Sequence, residues 1–589
     1  MELNWIDWTI VVLYFLASLV IGLYFSGRAG KDTESFFLSG RSMPWWLIGT
    51  SMVATTFAAD TPLAVTGMVA RHGIAGNWLW WNFAFSGMLT VFFYARLWRR
   101  AEVMTDVEFT EIRYSGVPAA VLRGFRAIYL ALPINCIVMG WVILAMSKIL
   151  EIILVIDKWE AIFLCLVITL SYSVFSGLWG VLVTDFVQFI LAMTGSIALA
   201  YFAVNAVGGL AELKTRVADL PIEGSALSFI PETGSAWMPL ITFFVYIAVN
   251  WWATWYPGAE PGGGGFIAQR MFSAKNESHS LAATLYFNFA NYVLRPWPWI
   301  LVALVAMVLY PDLEDKESGY VIVMVNHLPH FFRGLVLASF LAAFMSTVST
   351  SLNWGASYLV NDLYRRFLIR DRSERHYVRA SRVFTLLVML AAAIVTYFLS
   401  SVEGAWKLLI AIGAGTGPVY LLRWYWWRVN AWSEVAAMTA SFTISIFFQS
   451  YLGLDSDDPR GFAYLMLWTV GLTTVCWVLV TFLTKPEPDQ KLLSFYRQVR
   501  PSRTFWKPIA DRAPEVEPDR NGTINLINWL LGCIFIFCSL FGVGKLILAS
   551  YWEGLLYLIP AALSVAVIFR NLGKQEHALG KPGKLERVL

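Results

Sequence analysis

Charge is what this 589-residue chain has least of: only 14% of it is Asp, Glu, Lys or Arg. An ordinary water-soluble domain carries roughly a quarter, so a surface wetted on every side is excluded. Histidine (6) and cysteine (5) are scarce too. Cys136, Cys165, Cys476, Cys533 and Cys538 stand inside apolar runs with no CxxC spacing. They read as small hydrophobic residues, without a disulfide framework or a cysteine metal site. The chain also lacks a nucleophile–base motif, a phosphate-cradling loop and a catalytic metal cluster. No enzyme chemistry and no cofactor are therefore expected. His327 and His330, three apart at a membrane edge, read as interfacial residues. The net charge of +4 says little by itself, and nothing points to a nucleic-acid partner.

What is abundant is apolar sequence, 58% of the chain. A bilayer core of ~30 Å needs about 20 mostly apolar residues per spanning helix. Trp5 to Phe25 and Asn525 to Leu548 are plain cases. The hydropathy pattern predicts about fifteen spans, near 6–26, 44–70, 77–97, 124–156, 159–178, 181–207, 236–257, 281–310, 331–364, 380–400, 404–425, 433–453, 461–484, 524–549 and 553–571. The first run has no basic segment before it and no cleavage site after it, so it reads as a retained helix. Arg28, Lys31, Arg41, Arg99, Arg100, Arg113, Arg270, Lys275, the basic run from Arg365 to Arg379, Arg423 and Arg428 all fall in odd-numbered loops. Asp312, Glu314, Asp315, Glu317, Asp455, Asp457 and Asp458 fall in even ones. The positive-inside rule then puts the N-terminus outside and the C-terminus in the cytoplasm of a multi-pass inner (plasma) membrane protein. The Pro- and charge-rich stretch 485–523 reads as a solvated cytoplasmic loop or surface helix without its own core.

Three spans carry polar or helix-breaking clusters, which membrane depth tolerates only beside a cavity or inside protein. The second contains Asp60 close to Pro62; an intramembrane carboxylate is a functional candidate, although it could instead only bind amides freed at the break. The seventh ends in Pro257-Gly258-Ala259-Glu260-Pro261 and four glycines. This is either a flexible loop or an unwound helix at a solute site. The ninth carries Ser346, Ser349 and Thr350 on one helical face, with Thr347 on its flank. Such hydroxyls suit a small hard cation, or plain interhelical packing. The second and seventh spans enter from opposite sides, the pointer to an inverted-repeat transporter.

In this setting the chain resembles the sodium:solute symporter family over about residues 5–485. The resemblance rests on Glu34-Ser35-Phe36-Phe37-Leu38-Ser39-Gly40-Arg41, Thr184-Asp185-Phe186-Val187-Gln188, Gln269-Arg270 with Lys275, and Asn361-Asp362-Leu363-Tyr364, in that order. It implies an all-α, LeuT-type 5+5 inverted repeat with one extra N-terminal helix and about four extra C-terminal ones. The chain would divide into 1–43, 44–207 and 208–430 (the two repeats), 431–484, the 485–523 loop, and 524–589. The family's sodium site maps onto Ala58, Thr61, Ala343, Ser346 and Thr347, with Asp60 as an ion-coupling residue. A second sodium site, as in sialic-acid symporters, would use Asp185, Ser346, Ser349 and Thr350. Sodium is then a co-transported ligand, and the partners are a small solute, Na+ and the bilayer.

For the solute, Thr284, Asn288, Asn291 and Arg295 form one polar stripe on the eighth span, and Trp255, Tyr256 and Glu260 flank the Gly-rich break. Arginine offers a two-pronged fork to a carboxylate; alternatively Arg295 pairs with Glu260 or caps carbonyls freed by Pro296 and Pro298. The lysine and glutamine of galactose symporters fall at Asn291 and Ile410, a departure from the sugar pattern. The expected function is sodium-coupled import of a sugar, sugar acid or other carboxylate. A proton-coupled transporter of the same fold and, less favoured, a membrane solute sensor are the alternatives.

Overall fold

Backbone amides inside a bilayer find no water, so apolar runs must satisfy them internally. In the computed structural model, which describes residues 3–29, 41–103, 106–173, 178–232, 234–253 and 260–578, they do so as helices. No named strand forms among the described residues; the exception to helix and loop is a single bridge between Met43 and Ala274.

Helices stand at each predicted span: α1 Trp5–Ala29, α2 Trp45–Thr56, α3 Asp60–His72, α4 in short pieces over 78–101, α5 Gly116–Leu154, α6 Lys158–Ser173, α7 Leu178–Ala206, α8 Leu240–Ala248, α9 Gly265–Phe272 and α10 Glu277–Leu309. They continue as α11 Phe332–Leu368, α12 Glu374–Phe398, α13 Val402–Tyr425, α14 Ala431–Ser450, α15 Pro459–Leu483, α16 Asp489–Val499, α17 Gly522–Ile547 and α18 Tyr551–Ala578. By length and apolarity alone, nine described helices can cross a membrane, or ten counting the bent pair α2–α3. Helix α2 packs on α7 and α10, α11 packs on α7 and α12, and α14–α15 and α17–α18 form two hairpins at the periphery.

Both predicted breaks are present. Between α2 and α3 the axis turns by 61° at Phe57-Ala58-Ala59. Pro62, in the first turn of α3, has no N–H to give, so its ring costs that helix nothing. The second break separates α8 and a short 3-10 turn, Asn250–Trp252, from α9. Gly262 and Gly263 have φ of +83° and +88°, conformations that disfavour a side chain. A Cβ on Gly263 would also come within 2.8 Å of Met271 Cε, so the unwound backbone here depends on glycine.

Of the two expectations for residues 485–523, a solvated loop or a surface helix, the described structure has a helix lying on the bundle, with Leu492, Phe495, Tyr496, Val499, Trp506 and Ile509 buried. Helix α16 lays its 492/495/496/499 stripe on the bundle, and Trp506 Nε1 donates to the Trp424 carbonyl at 2.9 Å. The Arg113 guanidinium lies 5.3 Å from the Phe495 ring centre and 5.0 Å from that of Trp506. The apolar stripe has helical period, but frequent charge and proline around it masked the signal.

Candidate solute and sodium site

The two breaks and α10 line a central cavity. Thr56, Ala58, Asp60 and Thr61 line it from the first break, Glu260, Gly263, Phe266 and Ile267 from the second, and Thr284, Asn288, Asn291 and Arg295 from α10. Trp80, Trp141, Trp406, Phe287 and Tyr292 supply aromatic walls. The Trp141 and Trp406 rings meet edge to face with centroids 6.5 Å apart. These tryptophans come from α4, α5 and α13, and nothing in their local sequence marks them out among 28 tryptophans.

On α10 the stripe forms as predicted, helped by a π-turn at Ala290–Leu294 that resets the helical phase between Asn288 and Arg295. Asn288 Nδ2 donates to the Thr284 carbonyl at 2.8 Å. Its Oδ1 reaches so close to Gly87 that a Cβ there would lie 1.8 Å from it. Arg295 Nη1 donates to the Thr56 hydroxyl at 3.2 Å, and that hydroxyl lies 3.3 Å from Asn291 Oδ1. The guanidinium stacks over Trp299 at 5.0 Å and faces Phe57 at 5.9 Å. Trp255 and Tyr256 lie outside the described residues. Ile410 is buried, off the cavity wall.

Glu260 also reaches the cavity, but it does not pair with Arg295. Its Oε1 lies 3.2 Å from Arg126 Nη2 and its Oε2 3.7 Å from Arg423 Nη2. Arg126 further reaches Glu434 at 3.2 Å and Asp106 at 3.6 Å. Tyr114 donates to Glu434 at 2.6 Å, and Tyr358 donates to Asp106. The five charges come from α5, the second break, α13, α14 and the turn after α4, and all are buried. They clasp the second break to its surroundings on one side of the cavity. On the opposite side, Glu403 pairs with Arg71 and, at 3.0 Å, with Lys407. There Glu317 takes Lys148 at 2.7 Å and the amides of Val402 and Glu403 at 3.0 Å.

The residues expected to hold sodium stand around the first break. Ala58, Asp60, Thr61, Ala343, Ser346 and Thr347 are all buried. Thr347 Oγ1 lies 3.5 Å from the Thr55 carbonyl, which draws α11 to the end of α2. Asp60 opens α3 with 3% of its surface exposed, and its Oδ1 accepts no hydrogen bond from the described residues. Asp185 is fully buried, and Ser346 donates to its Oδ1 at 3.1 Å. Thr350 is half-buried, and the side chain of Ser349 lies outside the described residues. What the sequence reading did not bring to Asp185 is Arg270, whose Nη2 lies 3.6 Å from Oδ2. Its Gln269-Arg270 motif was visible, but its partner is 85 residues away on another helix. Among the described residues no three His, Cys, Asp or Glu side chains gather as a transition-metal site.

Such a fold, two broken helices around a central cavity that mixes aromatic walls with a few polar side chains, and with hydroxyls and carbonyls beside it, is that of a secondary transporter. The chain matches the sodium:solute symporter family over residues 36–441. Among proteins similar to it are sodium/glucose cotransporter 1 of Oryctolagus cuniculus (26% identical, covering 85% of this chain and 82% of that one) and sodium/myo-inositol cotransporter 2 of Homo sapiens (26%, covering 83% and 78%). The sodium/glucose cotransporter of Vibrio parahaemolyticus is 23% identical over 80% of this chain and 89% of its own. A solved structure described as the substrate-bound outward-open state of a Na+-coupled sialic acid symporter superposes with TM-score 0.62 at 18% identity, covering 82% of this chain and 99% of that one. The chain belongs to the sodium:solute symporter family. It is a multi-pass membrane protein that couples solute transport to sodium, with sodium as a carried ligand and no catalysed reaction.

Proposed function

We propose that this protein imports a small polar organic solute, a sugar, a sugar acid or another carboxylate, with sodium by alternating access across the plasma membrane, N-terminus outside and C-terminus in the cytoplasm. The observation that carries this is the convergence of both helix breaks on one buried cavity that also holds Arg295, Asn288 and Asn291. Asn288 and Asn291 bind solute hydroxyls, and the Arg295 fork binds a carboxylate where the solute has one. The relatives named for glucose and myo-inositol support a hydroxylated solute.

Sodium binds the carbonyls of Ala58, Thr61 and Ala343 and the hydroxyls of Ser346 and Thr347, with Asp60 supplying negative charge beside it. These ligands belong partly to a broken helix and partly to a continuous one. Sodium therefore stabilises the arrangement that brings both together, and that arrangement completes the solute site. The two ligands then raise each other's affinity by one shared factor. The segments 44–207 and 208–430 act as the two inverted halves, and the ion clusters above and below the cavity open in turn. Arg295→Ala tests the solute site in proteoliposomes at clamped pH: uptake at low solute should fall more than tenfold, about the loss of 1.4 kcal/mol. Full uptake with unchanged solute affinity would remove Arg295 from the site.

A further inference from the structure

The second set of expected sodium ligands centres on Asp185, and its surroundings hold an unexpected cation. Arg270 is itself buried, 1% exposed, and stands near the end of α9, the helix that follows the second break. Its Nε donates to Ser51 Oγ at 2.9 Å and its Nη2 to Thr55 Oγ1 at 2.9 Å. Ser51 in turn donates to Asp185 Oδ2 at 2.7 Å, and Thr55 Oγ1 lies 3.5 Å from it. The guanidinium thus reaches one oxygen of Asp185 directly and through two hydroxyls of α2, while Ser346 on α11 donates to the other oxygen. One carboxylate ties together both broken helices, α7 and the ion-bearing helix α11.

The charges decide what such a centre can do. Asp185 carries one negative charge, and Arg270 already balances it. A sodium ion added at Ser346 and Asp185 Oδ1 would leave a net positive charge in a site with almost no solvent to screen it, a few ångström from the guanidinium. Two cations therefore compete for one buried anion. Arg270 can give up the carboxylate without leaving its pocket, because Ser51 and Thr55 hold its fork without Asp185.

We propose that Arg270 is a tethered cation that alternates with a transported sodium ion on Asp185. It rests on the assignment of Asp185 to a second sodium site. When sodium takes the carboxylate, α9 loses its anchor on α7, so arrival of the ion loosens the second broken helix. When sodium leaves, Arg270 refills the site and keeps Asp185 from standing buried and unpaired.

The test titrates sodium alone, against choline at constant ionic strength, and follows thermal stabilisation of the purified full-length protein in native, R270Q, R270K and D185N/R270Q forms. If Arg270 competes, the native site is open to sodium for only part of the time, and apparent affinity is reduced by that fraction. R270Q should then lower the half-saturating sodium concentration by about threefold or more. R270K, whose single ammonium cannot span Ser51 and Thr55, should fall between R270Q and native. D185N/R270Q should lose the gain. Half-saturation in R270Q equal to or above native overturns the proposal, since Arg270 would then support sodium binding. Should R270Q not fold, R270K decides alone: a value below native supports competition, and a value at or above native refutes it. Absence of any sodium response in the native protein would instead overturn the sodium sites themselves.

Discussion

Replacing Asp60 with asparagine keeps the size of the side chain and removes its charge, which isolates what that charge does for sodium. The carboxylate is 3% exposed and lies in the cavity between two residues, Ala58 and Thr61, whose carbonyls are proposed ion ligands. Its Oδ1 has no hydrogen-bond partner among the described residues. A sodium ion shared by those carbonyls would sit about 6 Å from the carboxylate, and at an effective dielectric of ~20 that attraction is ~3 kcal/mol. Arg295, on the same cavity wall, opposes part of it. The half-saturating sodium concentration for uptake should rise by about 30- to 100-fold in D60N, since 1.36 kcal/mol is tenfold. The assay is sodium-activated uptake into proteoliposomes at clamped pH and membrane potential, with sodium-induced thermal stabilisation as the binding readout. The variant should stay folded, because asparagine keeps the size of the side chain and can turn its amide oxygen to the donors that the carboxylate accepts from. A half-saturation within threefold of native would show that Asp60 only finishes the helix break, and would refute the ion-coupling role.

Arg126→Ala should destabilise the protein by about 3–5 kcal/mol in detergent unfolding, because it leaves Arg423 alone among the three buried carboxylates of Glu260, Glu434 and Asp106; a loss below about 1 kcal/mol would mean the cluster is not holding the second break. Trp506→Ala should cost about 3–5 kcal/mol and expose α16 to protease, since the ring is fully buried against Phe495 and Arg113. Unchanged proteolysis would show that α16 docks through its own stripe alone.

The sequence by itself determined which segments are helices, where two of them break, and which helix faces are polar. These are local matters. A run of about twenty apolar residues must satisfy its own amides in lipid, and Pro62 and Gly262–Gly263 act on the backbone where they stand. The α10 stripe from Thr284 to Arg295 was legible for the same reason, because helical spacing fixes a shared face whatever packs against it. Only the tertiary structure decided the pairings. Glu260 and Arg295 are both charged and both line the cavity, yet Glu260 is held by Arg126 and Arg423, and Arg295 by Thr56 and the Trp299 ring. Asp185 meets Arg270, and Trp506 closes on Trp424. A buried charge must find a partner, but which of several it finds depends on how helices far apart in sequence cross. Neither hydropathy nor helical period carries that information.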